Sequence, residues 1–331
     1  MRFAFHCIAA TLFLFIATPA TADSFRPVVI YQGEIAANSF NLNIHEGVER
    51  FVRKTGVDCE EIVIGNDNES YTQLLTEVCN QGFNPVFLIY GNHVEGLRGL
   101  VRAHPHIRFL VLGELLDEAN AFSLNFAEHE GSFLAGALAA MASTSGILGF
   151  VSVDDVPLMR RFSCGFEQGA RYVNPKITIL SGFIGSYPGA WYDGAATARI
   201  AHEMMDQSAD VIYQAAGGAG PAVLEAVAGR GRLGIGVDRN QNDLYPGHVL
   251  TSMLKRSDQV VYAALMHAWR GIWRDNIKFF GVVQDAVGLA FDQHNAPLIS
   301  QDMRTRIDDI TNKIAGGEIR VHDFVTDRTC P

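Results

Sequence analysis

The apolar run "LGIGV" closes on Asp238 within "GVDRNQ" (236–241). A carboxylate at a strand end can accept two hydrogen bonds from a vicinal diol, each worth about 1.5–3 kcal/mol. The same position also suits a helix-capping or hinge Asp. Lys255, in "LTSMLKRSDQVVY", offers a cation that either complements a polar ligand or is a solvated charge at a helix start. Two aromatic side chains occupy turns. Phe40 opens the helical pattern "SFNLNIHEGVERF", and Trp191 lies in the glycine-rich "GSYPGAWYDGAATA" (185–198), with Asp193 placed to cap the following helix. Each ring is either a staple to the core or a platform for something flat. In "AAGGAGPAVLEAV" (215–227), Gly217, Gly218 and Gly220 let backbone N–H groups approach a ligand at a helix N-terminus, or simply turn the chain tightly.

Other chemistries lack their signatures. The chain has no HExxH, GxSxG or P-loop, and "AAGGAG" lies mid-chain without the third glycine of a dinucleotide fingerprint. His104 and His106 sit on a polar connector and His129 inside "EHE", and a metal role is not expected for any of them. The expectation is a binding protein and not an enzyme, with no catalytic residue, no metal and no cofactor.

The elements that must position these residues alternate. Short apolar runs ("PVVIY", "EIVIG", "VFLIY", "RFLVLG", "ILGFVS", "ITILS", "DVIYQ", "LGIGV", "HVLTSM") are separated by helical patterns such as "SYTQLLTEVCNQG" and "MRRFSCGFEQGARYV". This alternation predicts an α/β protein with parallel sheets covered on both faces. In the first helix, Asn38 or Ser39 is the cap, and Ile44, Val48, Phe51 and Val52 form the buried stripe. "YQGE", "YGNH", "LGEL", "AAGGAG" and "GVDRNQ" all follow strands, where small and polar groups face a crevice.

Bulk properties narrow the setting. The chain has 331 residues and a net charge of −10 without a basic cluster, which disfavours nucleic acid and anionic membranes as partners. "MRFAFHCIAATLFLFIATPATADS" reads as a cleavable signal peptide over residues 1–22, and Cys7 is misplaced for lipid attachment. The expected compartment is a bacterial periplasm. Cys59, Cys79, Cys164 and Cys330 then permit two disulfides, and Cys59–Cys79 is the favoured pair because one begins a strand and the other ends the next helix.

Taken together, "SFN" with "EGVERF", "EGSFLAGALAA", "RRFSCGFEQGARYVNP", "ADVIYQAAGGAG", "GVDRNQ" and "VLTSMLKRSDQVVY" resemble the basic membrane protein (BMP) family, PnrA-like substrate-binding proteins of ABC importers. The motifs follow family order across nearly the whole chain. The resemblance implies the type I periplasmic-binding-protein fold: two Rossmann-like lobes, a central cleft and three crossovers near 125–130, 250–255 and 280–290. Residues 23–126 plus 252–284 would form lobe 1, and 127–251 plus 285–331 lobe 2. It implies a monomer that binds a nucleoside and delivers it to an ABC permease in the inner membrane. By motif, Phe40 and Trp191 would stack on the base, Asn41 and the Gly218 backbone would contact the ligand, and Asp238 and Lys255 would hold the ribose hydroxyls.

The sequence departs from the family pattern on the base-reading side. Tyr31 stands where the family has an Asp that reads the purine edge, Ala36 and Ala37 replace an acid-rich turn, and Asn240 replaces the second acid of GVDxDQ. A phenol both donates and accepts where a carboxylate only accepts. Tyr31 is therefore included among the expected ligand residues, and a nucleobase, a flavin or a sugar-like solute is the alternative ligand. A sensory binding protein is the alternative role.

Overall fold

The computed structural model describes residues 25–35, 39–64, 68–89, 94–187, 189–273 and 277–331. The leader at 1–22, Asn38, and Ala36 and Ala37 lie outside the described residues.

The chain lays down β1 (Val28–Gln32), α1 (Phe40–Thr55), β2 (Glu60–Ile64), α2 (Asn68–Asn80), β3 (Val86–Ile89), α3 (Val94–Ala103), β4 (Phe109–Leu112) and β5 (Ala121–Phe126). It then crosses to a second lobe through α4 (Glu128–Ala142), β6 (Ile147–Ser152), α5 (Pro157–Val173), β7 (Thr178–Phe183), α6 (Gly194–Asp206), β8 (Val211–Ala215), α7 (Gly220–Gly229), β9 (Leu233–Asp238) and β10 (Val249–Lys255). It returns for α8 (Ser257–Trp269) and β11 (Ile277–Phe280). A last crossing leads to β12 (Val287–Leu289), α9 (Gln301–Ala315) and α10 (Phe324–Asp327). Two six-stranded sheets result, ordered β11-β5-β4-β3-β1-β2 and β12-β10-β9-β8-β6-β7. Among the described residues the strands of both sheets pair in parallel except β10 with β12. The chain is an α/β protein of two Rossmann-like lobes, as the sequence predicts.

The pattern of each element explains its place. Ser39 caps α1, its Oγ accepting from the Leu42 N–H at 3.1 Å. Ile44, Val48 and Phe51 are buried against the first sheet, each contributing about 1.5–3 kcal/mol. Alternate residues of β1, β3 and β4 feed opposite faces, one covered by α1 and α8, the other by α2 and α3. Among the described residues no helix is long and apolar enough to cross a membrane.

The favoured cysteine pairing is corrected. Cys164 and Cys330 form the disulfide, with Cα atoms 5.6 Å apart, while Cys59 and Cys79 are free. Cys59 packs with the cluster beneath α1 and α8, whereas Cys79 packs with the one beneath α2 and α3, so the sheet stands between them. Burial pushes both thiols up, Cys59 to about 12 and Cys79 to about 11, which leaves them protonated and unreactive.

Helices α4 and α5 meet at backbone distance, the reason for the glycines in both motifs. A Cβ on Gly136 would overlap the Phe166 carbonyl, and one on Gly169 would overlap that of Phe133. Gly136→Ala must prise the helices apart and is expected to lose about 2–3 kcal/mol or more in denaturant unfolding. Gly96→Ala, on α3 with open space around it, should be neutral or stabilising by up to about 1 kcal/mol.

Candidate functional site

The C-terminal edges of the two sheets face each other, and among the described residues hydrogen bonds bridge them at two places. At the first, Asn43 of α1 donates from Nδ2 to the Asp238 carbonyl oxygen at 3.1 Å, and its Oδ1 accepts from Arg239 Nη1 at 2.9 Å. Arg239 also pairs with Glu46 at 3.0 Å. At the second, the Glu34 N–H donates to the Tyr192 hydroxyl at 3.0 Å. The expected ligand residues other than Tyr31 fall into two groups beside these bridges.

Phe40, first residue of α1, is 8% exposed and rests on the lobe-1 core. The Lys255 ammonium sits 4.5 Å from its ring centroid, a cation–π geometry. Lys255 ends β10 and is 2% exposed. Such a charge needs a partner, and Glu128 at the start of α4 supplies it, Oε1 lying 2.9 Å from Nζ. Arg161 of α5 reaches the other Glu128 oxygen at 3.0 Å and is itself held by Asp323 at 2.8 Å. Burial works to raise the Glu128 pKa, but Lys255 and Arg161 outweigh it and hold the carboxyl ionised.

Asp238 closes β9 with φ of 65°, a left-handed turn that Asp tolerates better than most residues. Burial pushes its carboxyl up to about 6; Lys255 opposes the shift and Glu128 adds to it. Phe40, Lys255 and Asp238 are thus gathered in one place.

Trp191 and Gly218 form a second group. Trp191 is half-buried on a 3₁₀ turn, capped on the far side by Asp193, whose side chain accepts from Ala196 N–H at 2.9 Å. The indole lies on the Gly217–Ala219 turn: a Cβ on Gly217 would come 3.0 Å from Trp191 Cε3, and one on Gly218 would come 2.9 Å from Tyr192 Cδ1. The indole also packs against the small cluster of Val153, Ala190, Ala216 and Ala219 and against the main lobe-2 core. Asn41 sits beside Phe40 and spends its Nδ2 on the carbonyls of Gln32, Gly33 and Glu34, at 3.0–3.1 Å, which fixes the loop that meets Tyr192.

Tyr31 is placed apart from both groups. Its ring is fully buried beneath α1, and its hydroxyl donates to Glu61 on β2 at 2.5 Å. Burial, then Glu61, push its pKa well up. His45 Nδ1 lies 3.0 Å from the same carboxylate.

Several residues escape a reading by motif. Asn43 lies two residues after Asn41, and Tyr192 lies immediately after Trp191, yet nothing local marks either as a bridge. Glu128 and Arg161 lie inside quoted motifs without a signal of their pairing. Glu114 follows β4 on the same C-terminal edge, in "LGEL", and burial pushes it up to about 7. Among the described residues no cluster of three or more His, Cys, Asp or Glu could hold a metal ion. A surface concavity of 580 Å³, lined by Leu180, Phe183, Ile200 and Met204 among others, lies away from this site on the β7–α6 side.

Comparison with known proteins identifies the chain. Residues 26–324 match the family model Bmp, described as ABC transporter substrate-binding protein PnrA-like. The chain is similar to Basic membrane protein A1 of Borrelia garinii subsp. bavariensis, 27% identical over 96% of this chain and 94% of that one. It is likewise similar to a CD4+ T-cell-stimulating antigen of Listeria monocytogenes, 27% identical over 87% and 85%. Its fold matches a solute-binding protein of an ABC transporter system from Aeropyrum pernix K1 with a TM-score of 0.81, at 22% identity over 90% and 93%. The chain belongs to the Bmp family of ABC transporter substrate-binding proteins, a role that entails a small-molecule ligand and a permease.

Two outcomes follow from the electrostatics. Glu128→Gln leaves two buried cations short of their shared anion and should cost about 3–5 kcal/mol in denaturant unfolding. Asp238 and Glu114 have folded pKa values above their ordinary ones, so their contribution to stability is complete at low pH and lost as pH rises to 6–7. The ligand-free melting temperature should therefore fall between pH 5 and pH 7.5, and it should fall less in Asp238→Asn; an identical slope in both would refute the assignment.

Proposed function

We propose that this protein is an exported receptor that binds a nucleoside between its lobes and presents it to an ABC permease. The observation that carries the reading is the meeting of the Phe40 ring, the Lys255 ammonium and the Asp238 carboxylate where the two sheet edges are bridged. A nucleoside asks for that set of groups: a flat apolar face for the base, and an acceptor and a donor for the vicinal hydroxyls.

In this reading the base lies on Phe40, with Trp191 closing its other face and the Gly218 turn approaching through its backbone. Stacking adds about 0.5–1.5 kcal/mol per ring beyond area burial. Asp238 accepts from the ribose and Lys255 donates to it. Asn41 contributes through Oδ1, because Nδ2 is committed to its own loop. Tyr31 acts from behind, as a fixed wall under α1. Closure brings ligand contacts from both lobes, and only contacts absent from the open form shift the equilibrium toward closed. The leader at 1–22 directs the chain to the periplasm without lipid attachment, where it works as a monomer.

A thermal-shift screen on protein stripped of bound ligand tests the proposal. Inosine, adenosine, guanosine or uridine should raise the melting temperature, and Asp238→Ala should weaken that nucleoside about a hundredfold by calorimetry. If all four leave the melting temperature unmoved while a nucleobase, flavin or sugar raises it, the ligand is of that other class.

A further inference from the structure

The last segment of the chain is fastened to α5 at three successive turns. Asp323 grips the Arg161 guanidinium with two bonds, at 2.8 and 3.0 Å. Cys330 is bonded to Cys164. Gln168 exchanges hydrogen bonds with the His322 backbone, at 2.9 and 3.0 Å. The first of these attachments, at Arg161, points inward. Arg161 uses Nε and Nη2 for Asp323, which leaves Nη1 for Glu128 at 3.0 Å and for the Phe126 carbonyl at 3.3 Å. Glu128 in turn holds Lys255. A line of alternating charges therefore runs from the C-terminal segment to the ammonium beside the Phe40 ring.

The chemistry of the two cations gives this line a purpose. A guanidinium is a rigid planar fork that favours two-point pairing with a carboxylate, whereas an ammonium is a point charge on a flexible stem. Left to itself, Arg161 would turn its two-point edge to Glu128 and draw that carboxylate from Lys255. Asp323 occupies that edge and restricts Arg161 to a single bond with Glu128.

We propose that Asp323, kept in place by the Cys164–Cys330 staple, is a positioning residue that sets the Lys255 ammonium through Arg161 and Glu128. The proposal rests on the reading above, in which Lys255 meets the ligand. Neither Asp323 nor the disulfide touches the ligand; both act by denying Arg161 the competing geometry.

The test uses the full mature chain and two readouts. The first is the ¹⁵N–¹H signal of the Lys255 ammonium without ligand, identified by its loss in Lys255→Met. The second is inosine affinity by calorimetry. Asp323→Asn should shift or broaden the ammonium signal and weaken inosine about three- to tenfold. Asp323→Glu should recover most of the loss, and the double variant Cys164→Ser/Cys330→Ser should move both readouts in the direction of Asp323→Asn. In the Lys255→Met background, Asp323→Asn should add nothing to the loss of affinity. An ammonium signal unmoved by Asp323→Asn overturns the proposal, as does an equal loss of affinity in both backgrounds. If the wild-type chain binds no nucleoside, the ligand reading fails and the ammonium signal alone decides the positioning.

Discussion

A lysine and a glutamate, both nearly sealed from water, hold the molecule together where its two halves meet. Glu128 follows the first crossing of the chain and Lys255 precedes the second, so their 2.9 Å ion pair ties two connections that are distant in sequence. The third connection is tied nearby: the Val282 N–H donates to Glu130 at 2.8 Å, and the Arg256 N–H donates to the Ala286 carbonyl at 2.9 Å. Burying such charges is costly unless each is paired and hydrogen-bonded. Here the remaining capacity of Glu128 is taken by Arg161, so the cluster is satisfied. Its placement also puts the joint between the lobes beside the candidate site, because the same ammonium faces the Phe40 ring.

The lobes are built for stiffness around that joint. Helix α4 lies on α5 with glycine against backbone carbonyl, and Gly47 lets α1 approach the Asp258 carbonyl on α8 in the same way. Close-packed helices of this kind move as bodies. What remains adjustable is the set of bridges across the cleft, Asn43 to Asp238 and Glu34 to Tyr192, which are few and polar. The proposed opening and closing would use this division: stiff halves, and contacts between them weak enough for a ligand to tip.

Much of this was legible in the sequence, for reasons that differ by element. The long apolar strands, the Ser39 cap and the Asp193 cap announce themselves locally, because each depends on neighbours three or four residues away. Strands β5, β11 and β12 do not. "AFSLNF" is interrupted by polar residues that serve the loop above it, Ser123 bonding to Leu116, and the other two strands are only four and three residues long. The cysteine pairing is not legible either, because sequence proximity says nothing of which sheet face a cysteine joins. In the candidate site, Asp238 stands out in the sequence because a carboxylate ending an apolar strand is unusual. The Glu128–Arg161–Asp323 line does not, since its members meet only after the chain has crossed between lobes.

The most direct measurement is a crystal structure of the complex with whichever nucleoside raises the melting temperature most. The account predicts its base against the Phe40 ring and its ribose hydroxyls within hydrogen-bond reach of Asp238 and Lys255, with Glu128 still on the ammonium. A nucleoside bound in the concavity between β7 and α6, with nothing between the sheet edges, would contradict it.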